Sequence, residues 1–206
     1  TCGSNSGVLV SEYRDHLERS QDTEHIDFLP AQHEHGDMLV LSVDTTTQTG
    51  SVAIARDGIS AGEIVSDGSR THGERLTGMI ATLLGRQHLK PRDIDLYAVA
   101  AGPGSFTGLR VGIAAVQGLA LVNGRNVVSV SALDVLATLA CGIAAPSASD
   151  LVASWIDAQR GEVFSALYKV TPEGTPQAMA EPAVATPAVT LARWADGVMD
   201  RAVWFV

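Results

Sequence analysis

The hydrophobic pattern changes abruptly at Met38. Upstream, residues 1 to 37 open on a Gly/Ser/Asn stretch, allow a short helix over Val8 to Arg19 and stay polar up to Asp37, which reads as an acidic tail or linker. The adjacent His33, Glu34 and His35 read there as solvated side chains rather than a metal tract. From Met38 to Asp44 the chain is a buried-strand run ending in an aspartate, and Ser51 to Ala55 forms a second strand after a Thr-rich turn containing Gly50. Asp57-Gly58 is a hairpin signal leading into a third strand, Ile59 to Ser66. Leu76, Met79, Ile80, Leu83 and Leu84 then recur at helical spacing, predicting an amphipathic helix from Thr71 to Gly85. Leu96 to Ala101 is a continuous apolar strand, followed by the loop Gly102-Pro103-Gly104-Ser105 and a helix from Phe106 to Val122. Val127 to Val130 is another strand, and Ser131 caps a helix to about Ala140. The order β-β-β-α-β-α-β-α is that of an α/β layer fold.

An Ala/Pro/Ser stretch at 144–149 separates a second lobe, 144–206, from the first, 38–143. The second begins as the first does. Leu151 to Asp157, a turn, and Gly161 to Ala166 echo Leu39 to Asp44, a turn, and Gly50 to Ile54, which points to duplication and two lobes.

Composition narrows the function. The 206 residues are 46% hydrophobic, enough for a sizeable core, and only 18% charged. With 14 basic and 23 acidic residues the formal charge is -9, and residues 1 to 37 alone carry eight acidic and two basic side chains. A freestanding nucleic-acid binder needs a basic footprint, so any tRNA role calls for a basic partner. The two cysteines, Cys2 and Cys141, make no disulfide framework or zinc spacing, and no signal peptide or membrane span is evident, so a cytoplasmic protein without membrane attachment is expected.

Two features carry candidate chemistry. A carboxylate at the end of the first strand of each lobe, Asp44 and Asp157, could hold hydrated Mg²⁺ while hairpin amides hold phosphate. Equally, both could be turn-formers, with Thr45, Thr46 and Thr47 bonding nearby backbone. The segment Gly102-Pro103-Gly104-Ser105-Phe106-Thr107-Gly108 lies between strand and helix, where free N–H groups favour an anion. It is neither a Walker A loop nor a dinucleotide fingerprint. Its bland reading is a tight turn at Gly102 and Gly104, a cap from Ser105 or Thr107, and close packing at Gly108 and Gly112. In the helix that follows, only Gln117 is polar between Arg110 and Asn123, so it must be covered nearly all round or carry a partner.

The runs Val43-Asp44-Thr45-Thr46, Gly50-Ser51-Val52-Ala53, Thr71-His72-Gly73-Glu74-Arg75-Leu76, Gly102 to Gly112, Gln117-Gly118-Leu119-Ala120 and Asp157 to Phe164 resemble the bacterial TsaB (YeaZ) family over residues 38 to about 206. The resemblance implies an actin/Hsp70-like (ASKHA) fold of two RNase-H-like lobes, the second short, and a role in making threonylcarbamoyladenosine beside the anticodon of tRNAs that read codons starting with A. It implies a non-catalytic subunit that activates TsaD, the paralogue that holds metal through His-x-x-x-His. Here His72 is followed by Leu76, so no metal is expected. Partners implied are TsaD in a heterodimer, the ATPase TsaE, a functional link to TsaC, homodimers through the same surface, and tRNA only through the complex. No cofactor is required, although ATP or ADP could lodge at the interface.

Family members pair through the two first-lobe helices, here 71–85 and 106–122. That nominates Leu76, Met79, Ile80, Leu83, Leu109, Arg110, Ala115 and Leu119 as partner-binding, and a glutamate at Leu83 or Ala115 as a change that breaks pairing without unfolding. Phosphate or nucleotide contacts would fall on Asp44, Thr45, Thr46, Gly102, Gly104, Ser105, Thr107 and Asp157, and no residue is assigned a catalytic role. Residues 1 to 37 have no counterpart in the family core, and the family normally continues past Val206. The alternative is an ASKHA-type phosphotransferase acting alone, with Asp44 on Mg²⁺ and Asp157 near the γ-phosphate. A peptidase lacks any Ser/His/Asp or His-Glu-x-x-His arrangement.

Overall fold

The computed structural model describes residues 37–66, 71–198 and 201–206. The expected acidic tail, with its short helix and His33, Glu34 and His35, lies outside the described residues up to position 36. The described residues divide into two compact units, those up to residue 100 together with 110–129, and 101–109 together with those from 130 onward.

In the first unit the apolar runs become β1 (Leu39–Asp44), β2 (Ser51–Arg56), β3 (Ile59–Val65) and β4 (Leu96–Gly102), with β5 (Asn126–Ser131) completing a sheet of order β3-β2-β1-β4-β5. β1 pairs antiparallel with β2, Leu41 opposite Ile54, and parallel with β4, Leu41 opposite Tyr97. Alternation decides what is inside: Leu39, Leu41 and Val43 are buried while Val40 and Ser42 are half-buried. Helix α1 (His72–Arg86) and helix α2 (Phe106–Asn123) rest on this sheet. Leu76, Ile80, Leu83 and Leu84 of α1 and Val116 and Ala120 of α2 share one buried cluster with Leu41, Val43, Val52, Ile54, Tyr97 and Val99. A 3-10 turn, Pro91–Asp93, precedes β4.

The second unit builds a sheet of order β10-β6-β7-β8 from β6 (Leu151–Gln159), β7 (Glu162–Val170), β8 (Pro176–Ala178) and β10 (Val203–Phe205), with β9 (Ala183–Ala185) also on β7. β6 and β7 are antiparallel and β10 runs parallel to β6, so β10-β6-β7-β8 reproduces β4-β1-β2-β3. The echo seen in the hairpins therefore extends to sheet order and strand direction, as the RNase-H-like duplication requires, and the fold class is ASKHA-type α/β.

Both faces of this second sheet are covered. Helix α3 (Ala132–Ala144) packs Leu133, Ala137 and Cys141 against Val152, Ala166, Tyr168 and Val170. Helix α4 (Pro187–Val198) packs Trp194 and Val198 with Leu151, Ala153, Leu167 and Trp155. Trp155 also meets Trp194 at 6.0 Å and the edge of Phe205 at 5.3 Å between ring centroids. The packing of α3 places it with the second sheet, so the unit boundary lies upstream of the break expected after residue 143. The physical reason is its inward stripe, Leu133, Ala137 and Cys141, at four-residue spacing.

Candidate functional site: two outward helix faces

Helix α1 begins where its sequence says it should. The Glu74 carboxylate accepts hydrogen bonds from the Thr71 backbone N–H at 3.1 Å and the Thr71 hydroxyl at 2.8 Å. This reciprocal capping stabilises the start of the helix, and the hydroxyl bond, more than the backbone bond, holds the Glu74 carboxyl below its ordinary range. The apolar stripe then turns inward: Leu76 is 3% exposed, Ile80 5% and Leu83 1%. Their assignment to a partner surface is corrected by this burial, because the stripe is what holds the helix to β2 and β3. A glutamate at Leu83 would put an unpaired charge into the core and unfold the unit rather than merely break a pairing. Met79 is half-buried against the same cluster. The side chain of His72 lies outside the described residues.

The outward face of α1 is a different set: Thr77, Gly78, Ala81, Thr82 and Gly85 are all exposed. None is charged, and a Cβ added at Gly78 or Gly85 would meet nothing within 4 Å. Such a face lets another backbone approach closely.

Helix α2 divides likewise. By length and composition it is the helix among the described residues that could cross a membrane, with mean hydropathy 1.3. Its inner side, however, is committed to protein: Gly112, Val116 and Ala120 are buried, and Val111, Ile113, Ala115 and Leu119 pack against the core cluster. Ala115 and Leu119 thus flank the core rather than lead the outer face, and Leu109 is half-buried. Arg110 does stand on the outer face, with Ala114, Gln117, Gly118 and Leu121, the last 77% exposed, and Val122 beside them. Gly118 again has open space where a Cβ would go. The closest internal approach is at Gly112, where a Cβ would collide with Thr45 Oγ1.

The signature loop is built for a turn and a cap. Gly102 has φ +114°, a conformation that calls for glycine, while a Cβ there would make only ordinary contact with Leu109 Cδ1 at 3.4 Å. The Gly102-Pro103 peptide is cis. Ser105 Oγ accepts from the Gly108 N–H at 3.3 Å, and the Leu109 N–H donates to the Ser105 carbonyl at 2.8 Å, so Ser105 is the cap. Thr107 is exposed on the first turn and Gly104 half-buried in the loop.

The two strand-end aspartates are occupied locally. Asp44 Oδ1 accepts from the Thr46 N–H at 2.8 Å and the Thr46 hydroxyl at 2.7 Å. Asp157 Oδ1 accepts from the Gln159 N–H at 2.7 Å, and its Oδ2 from Gln159 Nε2 at 3.2 Å. Both therefore close Asx-type turns. Thr45 and Thr46 are buried, and the hollow lined by Thr45, Gly50, Ser66, Arg75, Leu76 and Met79 leaves no room for a water molecule. A phosphate held there would need the hairpin to open. Among the described residues no group of three His, Cys, Asp or Glu side chains gathers in metal-binding geometry.

A family model described as TsaD, tRNA N6-adenosine threonylcarbamoyltransferase, matches residues 62–199. The tRNA threonylcarbamoyladenosine biosynthesis protein TsaB of Escherichia coli (strain K12) is 36% identical over 132 residues, 64% of this chain and 55% of that protein. Its counterpart in Bacillus subtilis (strain 168) is 29% identical over 171 residues, 82% of this chain and 70% of the relative. Among solved structures, YeaZ from Pseudomonas aeruginosa superposes with a TM-score of 0.65 at 33% identity, covering 73% of this chain and 68% of that one. The chain spans little more than half the length of the Escherichia coli relative it matches.

Proposed function

The chain belongs to the TsaB (YeaZ) family, and from that premise we propose that it is a scaffold subunit in threonylcarbamoyladenosine synthesis, pairing with TsaD rather than carrying out the transfer itself. The observation that carries the reading is the pair of small-residue faces on α1 and α2, the second carrying Arg110 at its start. In a chain of net charge -9, both outer faces are almost free of charge, and neither contributes to the unit's own core. Thr77, Gly78, Ala81 and Thr82 with Ala114, Gln117, Gly118 and Leu121 would admit two partner helices at close range, in helix-on-helix packing.

The same reading gives Asp44 and Asp157 a structural task, consistent with their closed turns. TsaE would join the assembled pair, TsaC would supply the adenylate, and tRNA would be met in the complex. An autonomous phosphotransferase would need Asp44 released from Thr46 to reach a metal.

The test is co-elution of this chain with its cognate TsaD by size-exclusion light scattering, with ATP turnover of the chain alone measured in parallel. A stable pair that Gly118→Glu or Ala81→Glu dissociates, at unchanged stability, supports the reading. Pairing indifferent to both substitutions, or turnover abolished by Asp44→Ala, refutes it.

A further inference from the structure

The segment Arg86-Gln87-His88-Leu89-Lys90-Pro91-Arg92 holds three of the chain's 14 lysines and arginines within seven residues. All four of its cationic or potentially cationic side chains, Arg86, His88, Lys90 and Arg92, are exposed. The nearby carboxylates are turned the other way. Asp93 Oδ2 accepts from the Lys90 backbone N–H at 2.7 Å, and Asp95 Oδ2 accepts from the Leu39 N–H at 2.9 Å while its Oδ1 faces Arg125 at 3.6 Å. Arg92 and Asp93 pair loosely at the surface, at 3.9 Å. The cationic heads are therefore exposed, while Asp93 and Asp95 each spend one carboxylate oxygen on a backbone N–H.

The loop is also pinned from beneath. Gln87 Nε2 donates to the Ala61 carbonyl at 2.9 Å, Tyr97 Oη to the Pro91 carbonyl at 2.8 Å, and an Arg125 guanidinium N–H to the Arg92 carbonyl at 3.3 Å. The loop's own Gln87 thus ties it to β3, while Tyr97 of the next strand and the distant Arg125 hold the backbone carbonyls of Pro91 and Arg92. Beside it, Lys90, Pro91 and Arg92 line an open hollow of about 330 Å³ with Gly118, Leu119 and Val122. Gly118 belongs to the face offered to a partner helix, so the contact proposed here is the rim alone, and a fixed basic rim suits a polyanion whose charges are spread along a backbone.

We propose that this loop contacts the phosphate backbone of RNA, adding a direct electrostatic contribution from a subunit whose net charge is unfavourable for it. The proposal rests on the tRNA-modification reading above. The overall charge does not forbid it, because interactions between exposed charges are largely screened beyond about 8 Å at physiological salt. Arginine and lysine both contact phosphate oxygens, and a run of exposed cations complements a polyanionic backbone, which makes RNA the occupant.

The experiment titrates a fluorescent, unmodified tRNA transcript with the chain alone and with the assembled pair. Wild type is compared with Lys90→Glu/Arg92→Glu and with a charge-matched control in the other unit, Arg160→Glu/Arg193→Glu. The loop variant is expected to bind roughly ten-fold more weakly than the control and to lower the log-log salt slope by about two. Equal affinity of the two variants overturns the proposal. So does loss of pairing with TsaD in the loop variant, which would make the loop part of a protein interface. Failure of the wild-type chain to pair at all refutes the scaffold reading instead, and the chain-alone titration still decides the RNA contact.

Discussion

Gly112 and Gly118 sit on one helix and differ only in what lies over them, which makes their alanine variants a controlled pair. A Cβ at Gly112 collides with Thr45 Oγ1 and lies 3.5 and 3.6 Å from Thr45 Cβ and Cγ2, whereas at Gly118 it meets nothing within 4 Å. Thr45 is 1% exposed and β-branched, so its hydroxyl cannot swing into solvent and its χ1 resists rotation. Overpacking of this kind costs about 1–3 kcal/mol. Replacing glycine by alanine in a helix interior gains about 0.8–1 kcal/mol at either site, so this gain cancels when the two variants are compared. Gly118→Ala is expected to be stabilised by roughly that gain, and Gly112→Ala to fall below it by about 1–3 kcal/mol. Urea unfolding at constant m reads the difference directly. Adding Thr45→Ala to Gly112→Ala should recover part of the loss as a favourable coupling. Equal stability of the two glycine variants, or no coupling with Thr45, would refute the close approach of α2 to the β1–β2 turn.

The other expectations are simpler. Leu83→Ala should destabilise the chain by about 2–5 kcal/mol, whereas Ala81→Glu, two residues away on the outer face, should change the urea midpoint little. Because the Glu74 carboxyl is held below its ordinary range, its contribution is present above that range and disappears as pH falls through the depressed value. The stability gap between wild type and Glu74→Gln should therefore shrink on acidification, and a gap that widens would contradict the Thr71 cap. Tyr168 Oη donates to Asp134 Oδ1 at 2.6 Å, and burial first, then this bond, pushes its phenol upward. Tyr168→Phe should cost about 1 kcal/mol, seen by urea unfolding, and a neutral result would show the bond exchanges evenly with water.

Where a segment has one wet and one dry side, its period exposes the structure, and β1 to β4, α1 and the β6–β7 hairpin lie within a few residues of the pattern that predicts them. The resemblance nominated the apolar stripe of α1 for a partner, and the burial of Leu76, Ile80 and Leu83 spends that stripe on the helix's own unit. An apolar stripe marks the side a helix buries in its own unit, so what stays exposed is the complement, Thr77, Gly78, Ala81 and Thr82, which hydrophobicity does not flag. On α2 the period fails outright, since Gly112 and Gly118 look alike in a helix that is apolar all round, and only the position of Thr45 separates them. Asp44 and Asp157 could be read as metal ligands or turn-formers with equal ease, because the bonds to Thr46 and Gln159 depend on turn geometry, not residue type. The pinned basic loop was hidden for a further reason: two of its supports, Ala61 and Arg125, are 26 and 33 residues from the loop positions they bond.

These divisions bear on why α2 has its unusual composition. Its inner side must approach Thr45 so closely that glycine is needed at 112, and its outer side keeps Gly118 although alanine there would strengthen the helix and meet no internal obstacle. The unit's own packing explains the first glycine and not the second. A closely packed partner backbone, as proposed above, would supply the missing reason. If that reason holds, Gly118→Ala should raise stability and weaken pairing with TsaD in the same protein, whereas Gly112→Ala should lower stability and leave pairing of the folded chain unchanged. Opposite signs at two glycines on one helix would separate what the fold requires from what the partner requires, and matching signs would remove the argument for an interface on this face.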